Sequence, residues 1–260
     1  MFGRFSLSGR VAVITGASRG IGLATAREFA RAGAKLAIAS RKQESLDAVA
    51  EELRALGAEV LPVACHAGKA EDIENLLQKT VAHFGQIDIL INNAGTNPYF
   101  GPMIETEMGA WGKTFQINLE GYFLAARWVA RHCIEHKRPG SIVNIASILG
   151  LRAAPFQGVY GATKAAIISM TQTLAQELGP HQIRVNAIAP GLVDTKLAGI
   201  ITGSEELRTM VESRTPVGRI AQPEEISTGV LFLASDAGSF VTGHTLVMDG
   251  GSTITALAIG

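Results

Sequence analysis

Tyr160-Gly161-Ala162-Thr163-Lys164 sets a phenol and an ammonium four residues apart. On a helix that spacing puts both on one face, one turn apart. An ammonium held near a phenol favours the phenolate. Free tyrosine titrates near ~10 and is a poor base at neutral pH. A tyrosine brought toward neutrality can pass a proton to or from an oxygen, as the interconversion of an alcohol and a ketone requires. Alone, the pair is weak, because Tyr and Lys meet at this spacing on many solvated helix faces. Its weight depends on the elements around it.

The first of these elements is Val11-Ala12-Val13-Ile14, an apolar β-prone run that reads as a buried strand. It ends in Thr15-Gly16-Ala17-Ser18-Arg19-Gly20-Ile21-Gly22. A helical apolar pattern follows and stops at Gly33, and Lys35–Ala39 reads as a second strand. This is a β–turn–α–β unit of the length expected for a dinucleotide site. The glycines at 16, 20 and 22 are spaced G-x-x-x-G-x-G rather than G-x-G-x-x-G, and the physics survives the change. Gly16 can take the tight turn, Gly20 lets backbone approach a pyrophosphate, and Gly22 allows close helix–strand packing. The helix N-terminus then faces the phosphates.

Further strands are expected at 59–63, 87–91, 141–146, 183–188 and 245–248, separated by helical patterns. The longest of these patterns runs over 106–136. The alternation predicts an α/β fold: a single Rossmann-like domain over 1–260, with one doubly wound parallel sheet and helices on both faces. Such sheets bind ligands at the C-terminal ends of their strands. Those ends carry Thr15–Gly22, Ser40-Arg41, Asn92–Gly95, Ser147 and Pro190-Gly191. The stretch 192–216, with its glycines and short helical patterns, is expected to act as a substrate lid.

Composition narrows the function classes. Of 260 residues, 47% are hydrophobic and 18% charged, and 23 basic residues balance 23 acidic ones. Zero net charge argues against a nucleic acid or an anionic membrane as partner. The only cysteines, Cys65 and Cys133, form no CxxC, which argues against a zinc site or disulfide framework and for a reducing, cytoplasmic setting. His132 and His136 lie four apart, but no acidic or cysteine ligand accompanies them, so no metal is expected. No apolar run reaches the ~18 residues of a membrane span, and residues 1–9 lack a signal-peptide core.

Taken together these residues resemble the short-chain dehydrogenase/reductase family. Thr15–Gly22 matches its TGxxxGxG motif and Asn92-Asn93-Ala94-Gly95 its NNAG motif. Asn118, Ser147, Tyr160 and Lys164 match its Asn–Ser–Tyr–Lys tetrad, and Pro190-Gly191 its PG motif. The resemblance covers residues 8 to 252. It implies that Tyr160 is the general acid/base, and that Lys164 lowers its pKa and holds the nicotinamide ribose. It further implies that Ser147 polarises the substrate oxygen and that Asn118 holds a water linking Lys164 to solvent. Gly16, Ser18, Arg19, Gly20, Ile21, Gly22, Asn93, Ala94, Gly95, Pro190 and Gly191 would surround the cofactor. Val193 and Thr195, in the family's PGxxxT pattern, would meet the carboxamide.

There is one departure. Cys65-His66-Ala67 stands where the family often has an Asp-Val or Asp-Leu step, so His66 through a ring nitrogen, or the Ala67 backbone, is expected to meet the adenine. Cofactor choice rests on charge: the end of the second strand carries Ser40 and Arg41, with Arg19 nearby, and no carboxylate to repel a 2′-phosphate. The expectation is NADP(H) over NAD(H).

Tyr99, Leu149, Phe156, Leu192 and Leu197 are expected to line an apolar pocket, and Asn97–Gly101 resembles the carbonyl reductase branch. The resemblance thus implies a homotetrameric, NADPH-dependent ketone or aldehyde reductase working reversibly on a small molecule. A 3-oxoacyl-carrier-protein reductase is the rival, weakened because Ala175-Gln176-Glu177 stands where many have Ala-Arg-Glu. An apolar pocket disfavours a sugar dehydrogenase, and the complete tetrad disfavours a non-catalytic NADP(H)-binding regulator.

Overall fold

Strands apolar on both faces need cover on both faces, and the fold supplies it. The computed structural model describes residues 3–255. In chain order they form β1 (Val11–Thr15), α1 (Gly20–Arg31), β2 (Lys35–Ser40), α2 (Gln43–Ala55), β3 (Val60–Ala64), α3 (Ala70–Phe84) and β4 (Ile89–Asn92). Then come α4 (Met108–Phe115), α5 (Gly121–Glu135), β5 (Gly140–Ile145), α6 (Gly158–Leu178) and β6 (Ile183–Pro190). The chain closes with α7 (Gly199–Thr202), α8 (Glu205–Ser213), α9 (Pro223–Ala234) and β7 (Thr245–Met248).

The strands form one seven-stranded sheet in the order β3-β2-β1-β4-β5-β6-β7, and every neighbouring pair is parallel. Alternation along β1 sends Ala12 and Ile14 into one core and Val13 into the other. Phe29 of α1, Leu46 and Leu53 of α2 and Val230 and Leu233 of α9 fill the first. Leu76 and Leu77 of α3, Val129 and Cys133 of α5 and Ala175 of α6 fill the second. The chain runs outward from β1 to β3 and then returns to β4 beside β1. That reversal opens a crevice between the C-terminal ends of β1 and β4.

The helix expected over 106–136 divides in two. Between α4 and α5, Gln116–Glu120 forms a π-helical turn that contains Asn118. One extra residue in a turn leaves apolar spacing almost unchanged, so periodicity does not report it, yet such turns recur at functional sites. Just after it, Gly121 packs directly on the Ala67 carbonyl, where a Cβ has no room. Gly121→Ala should therefore destabilise the fold by about 3 kcal/mol, lowering Tm by roughly 10 °C. Thermal unfolding checks it; a Tm within about 2 °C of the parent would show that the loop yields freely.

β6 also runs further than its apolar core suggests, ending on Pro190, which pairs with Met248 of β7. No described helix is long and apolar enough to cross a membrane.

Candidate active site

The glycine turn between β1 and α1 is braced from β4. Thr15 Oγ1 accepts the amides of Asn93 and Ala94 at 3.0 and 3.1 Å. Asn93 Nδ2 donates to the carbonyls of Thr15 and Gly16 at 2.9 and 3.2 Å. The approach is close enough that a Cβ on Gly16 would lie 2.8 Å from Asn93 Nδ2, and one on Gly22 would strike the Gly16 carbonyl. Asn93 and Ala94 thus shape the turn. At the start of α1, Arg19 occupies the N-cap without a side-chain capping bond. The first-turn amides are left to an outside acceptor, as an anion site requires. A Cβ on Gly20 would lie 3.2 Å from Thr195 Cγ2, so this turn also meets the segment after β6.

Asn118 is fully buried in the π turn. Its Oδ1 accepts the Thr96 amide at 2.8 Å, while Nδ2 donates to the Thr96 carbonyl at 2.9 Å and to Thr163 Oγ1 at 3.2 Å. The side chain therefore ties the loop after β4 to α6. Both ends of its amide are spent on protein partners, none of them Lys164.

Ser147 follows β5, and its Oγ accepts the Leu149 amide at 3.1 Å. The turn beyond it lies against α6 so tightly that a Cβ on Gly150 would come within 2.6 Å of the Lys164 carbonyl carbon. That contact brings Ser147 to Tyr160. Deeper in, Lys164 is 2% exposed. Its Nζ donates to the Ile145 carbonyl at 2.7 Å and stands 5.4 Å from the Tyr160 ring centre and 5.3 Å from that of buried Tyr122.

Lys164 faces Tyr160, and burial acts on both groups. Burial pushes the Tyr160 phenol up to about 12, and the nearby Ser147 hydroxyl only partly opposes the rise. Burial pushes Lys164 down to about 7. Desolvation disfavours the charged form of each, and the ammonium spends a proton on Ile145 rather than on the phenol. The phenol is thus pushed toward its protonated form and the amine toward its neutral form.

These groups share a cavity of about 470 Å³. Ile21, Asn93, Gly95, Pro190, Gly191, Val193 and Thr195 line it, together with Leu149, Leu192 and Leu197. Gly191 is held at the β7 end, where its amide donates to the Met248 carbonyl at 3.0 Å. A second cavity, of about 570 Å³, lies at the opposite edge of the sheet beside Arg10, Asp88 and Arg184. There Arg184 already donates to the carbonyls of Leu233, Val241, Ala234 and Ser235, a structural role.

Residues 16–253 match the family model described as enoyl-(acyl carrier protein) reductase. The 3-oxoacyl-(acyl-carrier-protein) reductase of Thermotoga maritima is 38% identical, over 95% of this chain and 99% of that one. Tropinone reductase-like 3 of Erythroxylum coca is 36% identical, over 97% and 96%. The chain belongs to the short-chain dehydrogenase/reductase family. Among solved structures, the gluconate 5-dehydrogenase of Burkholderia cenocepacia, in complex with NADP and tartrate, superposes with a TM-score of 0.93 at 36% identity, covering 97% of this chain and 98% of that one.

As a short-chain dehydrogenase/reductase it is an oxidoreductase, and the remaining site residues can be placed within that frame. Ser40 ends β2 opposite Ala64, with exposed Arg41 after it and exposed Arg19 in the turn. Beyond β3, the His66 amide donates to Asp72 Oδ2 at 2.8 Å, and His66 Nδ1 accepts the Gly68 amide at 3.2 Å. One ring nitrogen is thus committed and Nε2 is left for a ligand. The Ala67 carbonyl is covered by Gly121.

Tyr99 and Phe156 do not join the cavity wall. Tyr99 donates its hydroxyl to the Pro102 carbonyl at 3.0 Å, and Phe156 stacks behind Phe100 with ring centres 6.0 Å apart. Asn97 and Phe100, in the loop expected at the pocket, do line it, whereas Gln157, Arg152, Val211 and Arg214 are wall residues that sequence reasoning missed. Loops have no period from which to read direction. Both cysteines are buried and free, and burial pushes Cys65 up to about 12 and Cys133 to about 11.

Proposed function

We propose that the protein is an NADP(H)-dependent reductase of ketones or aldehydes that runs in reverse as a secondary-alcohol dehydrogenase. One observation carries this reading: Ser147 and Tyr160 line the same cavity as Ile21 of the glycine turn and Pro190, Gly191, Val193 and Thr195 at and after the end of β6. The residues fit a nicotinamide dinucleotide. Gly16 and Gly22 form a cradle that side chains would fill, and the first turn of α1 carries uncapped amides.

Ile21, Val193 and Thr195 would hold the nicotinamide end, and Ser40, Arg41 and Arg19 the adenosine ribose end. When bound, the cofactor supplies or accepts the hydride at the carbonyl carbon. Ser147 and Tyr160 donate hydrogen bonds to the carbonyl oxygen, stabilising the charge that develops there. Tyr160, which burial pushes toward its protonated form, then gives up its proton to that oxygen. Lys164 restores positive charge beside the phenolate. Asn118 positions the loop after β4 through its bonds to Thr96. The stretch 192–216 serves as the lid, hinged where the Val193–Ala221 bridge pins its base to the body.

A screen of NADPH and NADH oxidation with bulky ketones, acetoacetyl thioesters and sugars tests the assignment. Turnover of ketones supports it, and turnover confined to sugars overturns it.

The choice of NADP(H) is supported by Arg19 and Arg41, neither of which pairs with a carboxylate among the described residues. Ser40→Asp should lower kcat/KM for NADPH roughly 100-fold, on the order of 3 kcal/mol of like-charge repulsion, and improve NADH. If both cofactors keep their parental values, this reading of the β2 end is wrong.

Assembly into a homotetramer is our further reading. Exposed Phe123 and Ile134 on α5 support an interface there, and light scattering measures the mass.

A further inference from the structure

The cavity that holds Tyr160 is electrostatically one-sided. Its walls include Arg152, Lys164 and Arg214, and no Asp or Glu. Lys164 lies at the bottom, buried and bonded to Ile145. The two arginines are exposed and mark the mouth. Arg152 is anchored, its Nη1 donating to the Ser252 carbonyl at 2.7 Å. Ser252 Oγ in turn meets Thr215 Oγ1 at 3.0 Å, and Thr215 directly follows Arg214 in the chain. One hydroxyl pair thus joins the two arginine-bearing segments.

Elsewhere, Arg27, Arg54, Arg138, Arg208 and Arg219 each meet a carboxylate. Arg152 and Arg214 meet none among the described residues. Asp249, on the same loop as Ser252, is already spent, accepting the Gly251 and Thr253 amides at 2.9 and 2.7 Å. A guanidinium carries five donors in a planar fork suited to carboxylate and phosphate oxygens. Leu149, Leu192, Leu197 and Val211 add apolar surface to the lining of the same cavity.

We infer that the substrate is an oxo compound whose apolar segment ends in an anionic oxygen group, a carboxylate or a phosphate ester, and that Arg152 and Arg214 are the residues that select it. The inference rests on the carbonyl-reductase reading of the site. It also reshapes the expected apolar pocket: the sleeve is apolar, but the far end of the ligand is charged.

The test compares linear oxocarboxylates with their methyl esters, and hydroxyketone phosphates with the free hydroxyketones, in wild type and in Arg152→Gln/Arg214→Gln. The charged member of a pair should be preferred roughly 10- to 100-fold in kcat/KM. In the double variant that preference should collapse through KM, the charged member's KM rising to that of its neutral partner, and added salt should weaken it in wild type. The series that shows the larger arginine-dependent preference identifies the anion. Equal use of acid and ester, or a preference that survives in the double variant, overturns the inference.

A binding measurement separates this outcome from failure of the reductase reading. If no carbonyl compound is turned over, that reading falls, and thermal shifts induced by hexanoate and by hexanol still decide the arginines' role. A hexanoate-specific shift that disappears in the double variant supports it, and identical shifts in both proteins overturn it.

Discussion

Tyr160→Phe should lower kcat for carbonyl reduction by roughly 10³- to 10⁴-fold while leaving the affinity for NADPH within about twofold. Phenylalanine fills the same space on α6, so the packing of the Ser147 turn against that helix survives. What disappears is one hydroxyl. Of the hydroxyls lining the site, the phenol is the most acidic. The Ser147 hydroxyl remains and still donates to the developing oxyanion, which is why a residual rate is expected. KM should change little, because the missing interaction strengthens chiefly in the transition state. Steady-state kinetics and a fluorescence titration of bound NADPH check the two halves separately. A variant retaining more than about a tenth of parental kcat would remove Tyr160 from the proton-transfer role. Equal loss of turnover and cofactor affinity would instead point to damage to the fold.

The parts of this site that were legible in sequence are those set by short-range geometry. Gly16, Gly20 and Gly22 announce a turn because only residues without a Cβ fit beside Asn93 and Thr195. Tyr160 and Lys164 announce a shared face because a helix repeats every 3.6 residues, and the alternation of strands and helices gives the sheet. Less legible was anything decided by burial or by long loops. The pKa shifts of Tyr160 and Lys164 follow from burial, which the four-residue spacing does not encode. Asn118 reads as a catalytic residue from its motif, yet its side chain is consumed in holding Thr96 and Thr163. Arg152 and Arg214 lie far apart in the chain and line one cavity because the segments after β5, α8 and β7 converge on Ser252. Tyr99 and Phe100 are adjacent in an irregular loop, and which of them faces the cavity is settled by the hydrogen bond from Tyr99 to Pro102.

Lys164→Met should do two opposite things: abolish most turnover and raise the stability of the nucleotide-free protein below about pH 9. The activity loss, roughly 10²- to 10³-fold, follows from removing the ammonium that stands beside the phenolate that reduction creates. The stability gain follows from proton linkage. An unfolded chain holds the lysine proton up to its ordinary value of 10.5, whereas the folded protein releases it near about 7. Between those values the unfolded state binds more protons, so the wild type gains stability as pH rises through the window. Below about 7 the whole penalty of burying the ammonium stands. Methionine has no proton to lose and fills a similar volume.

The variant leaves the Ile145 carbonyl without its Nζ partner in the interior, at a cost of about 2–3 kcal/mol. Each unit of depressed pKa returns about 1.4 kcal/mol at low pH. The net is a gain of roughly 2 kcal/mol near pH 6.5, or about 4–8 °C in Tm. Cys65, Cys133 and Tyr160 titrate higher, at about 12, 11 and 12, and are common to both proteins, so they cancel in the difference. Calorimetry across pH 6.5 to ~9 should therefore show the gap between variant and wild type narrowing with pH. A gap that stays constant, or a variant less stable throughout, would mean that Lys164 is already neutral or well solvated in the folded chain. A narrowing gap would mean that the fold tolerates a destabilising buried amine whose return is paid in turnover.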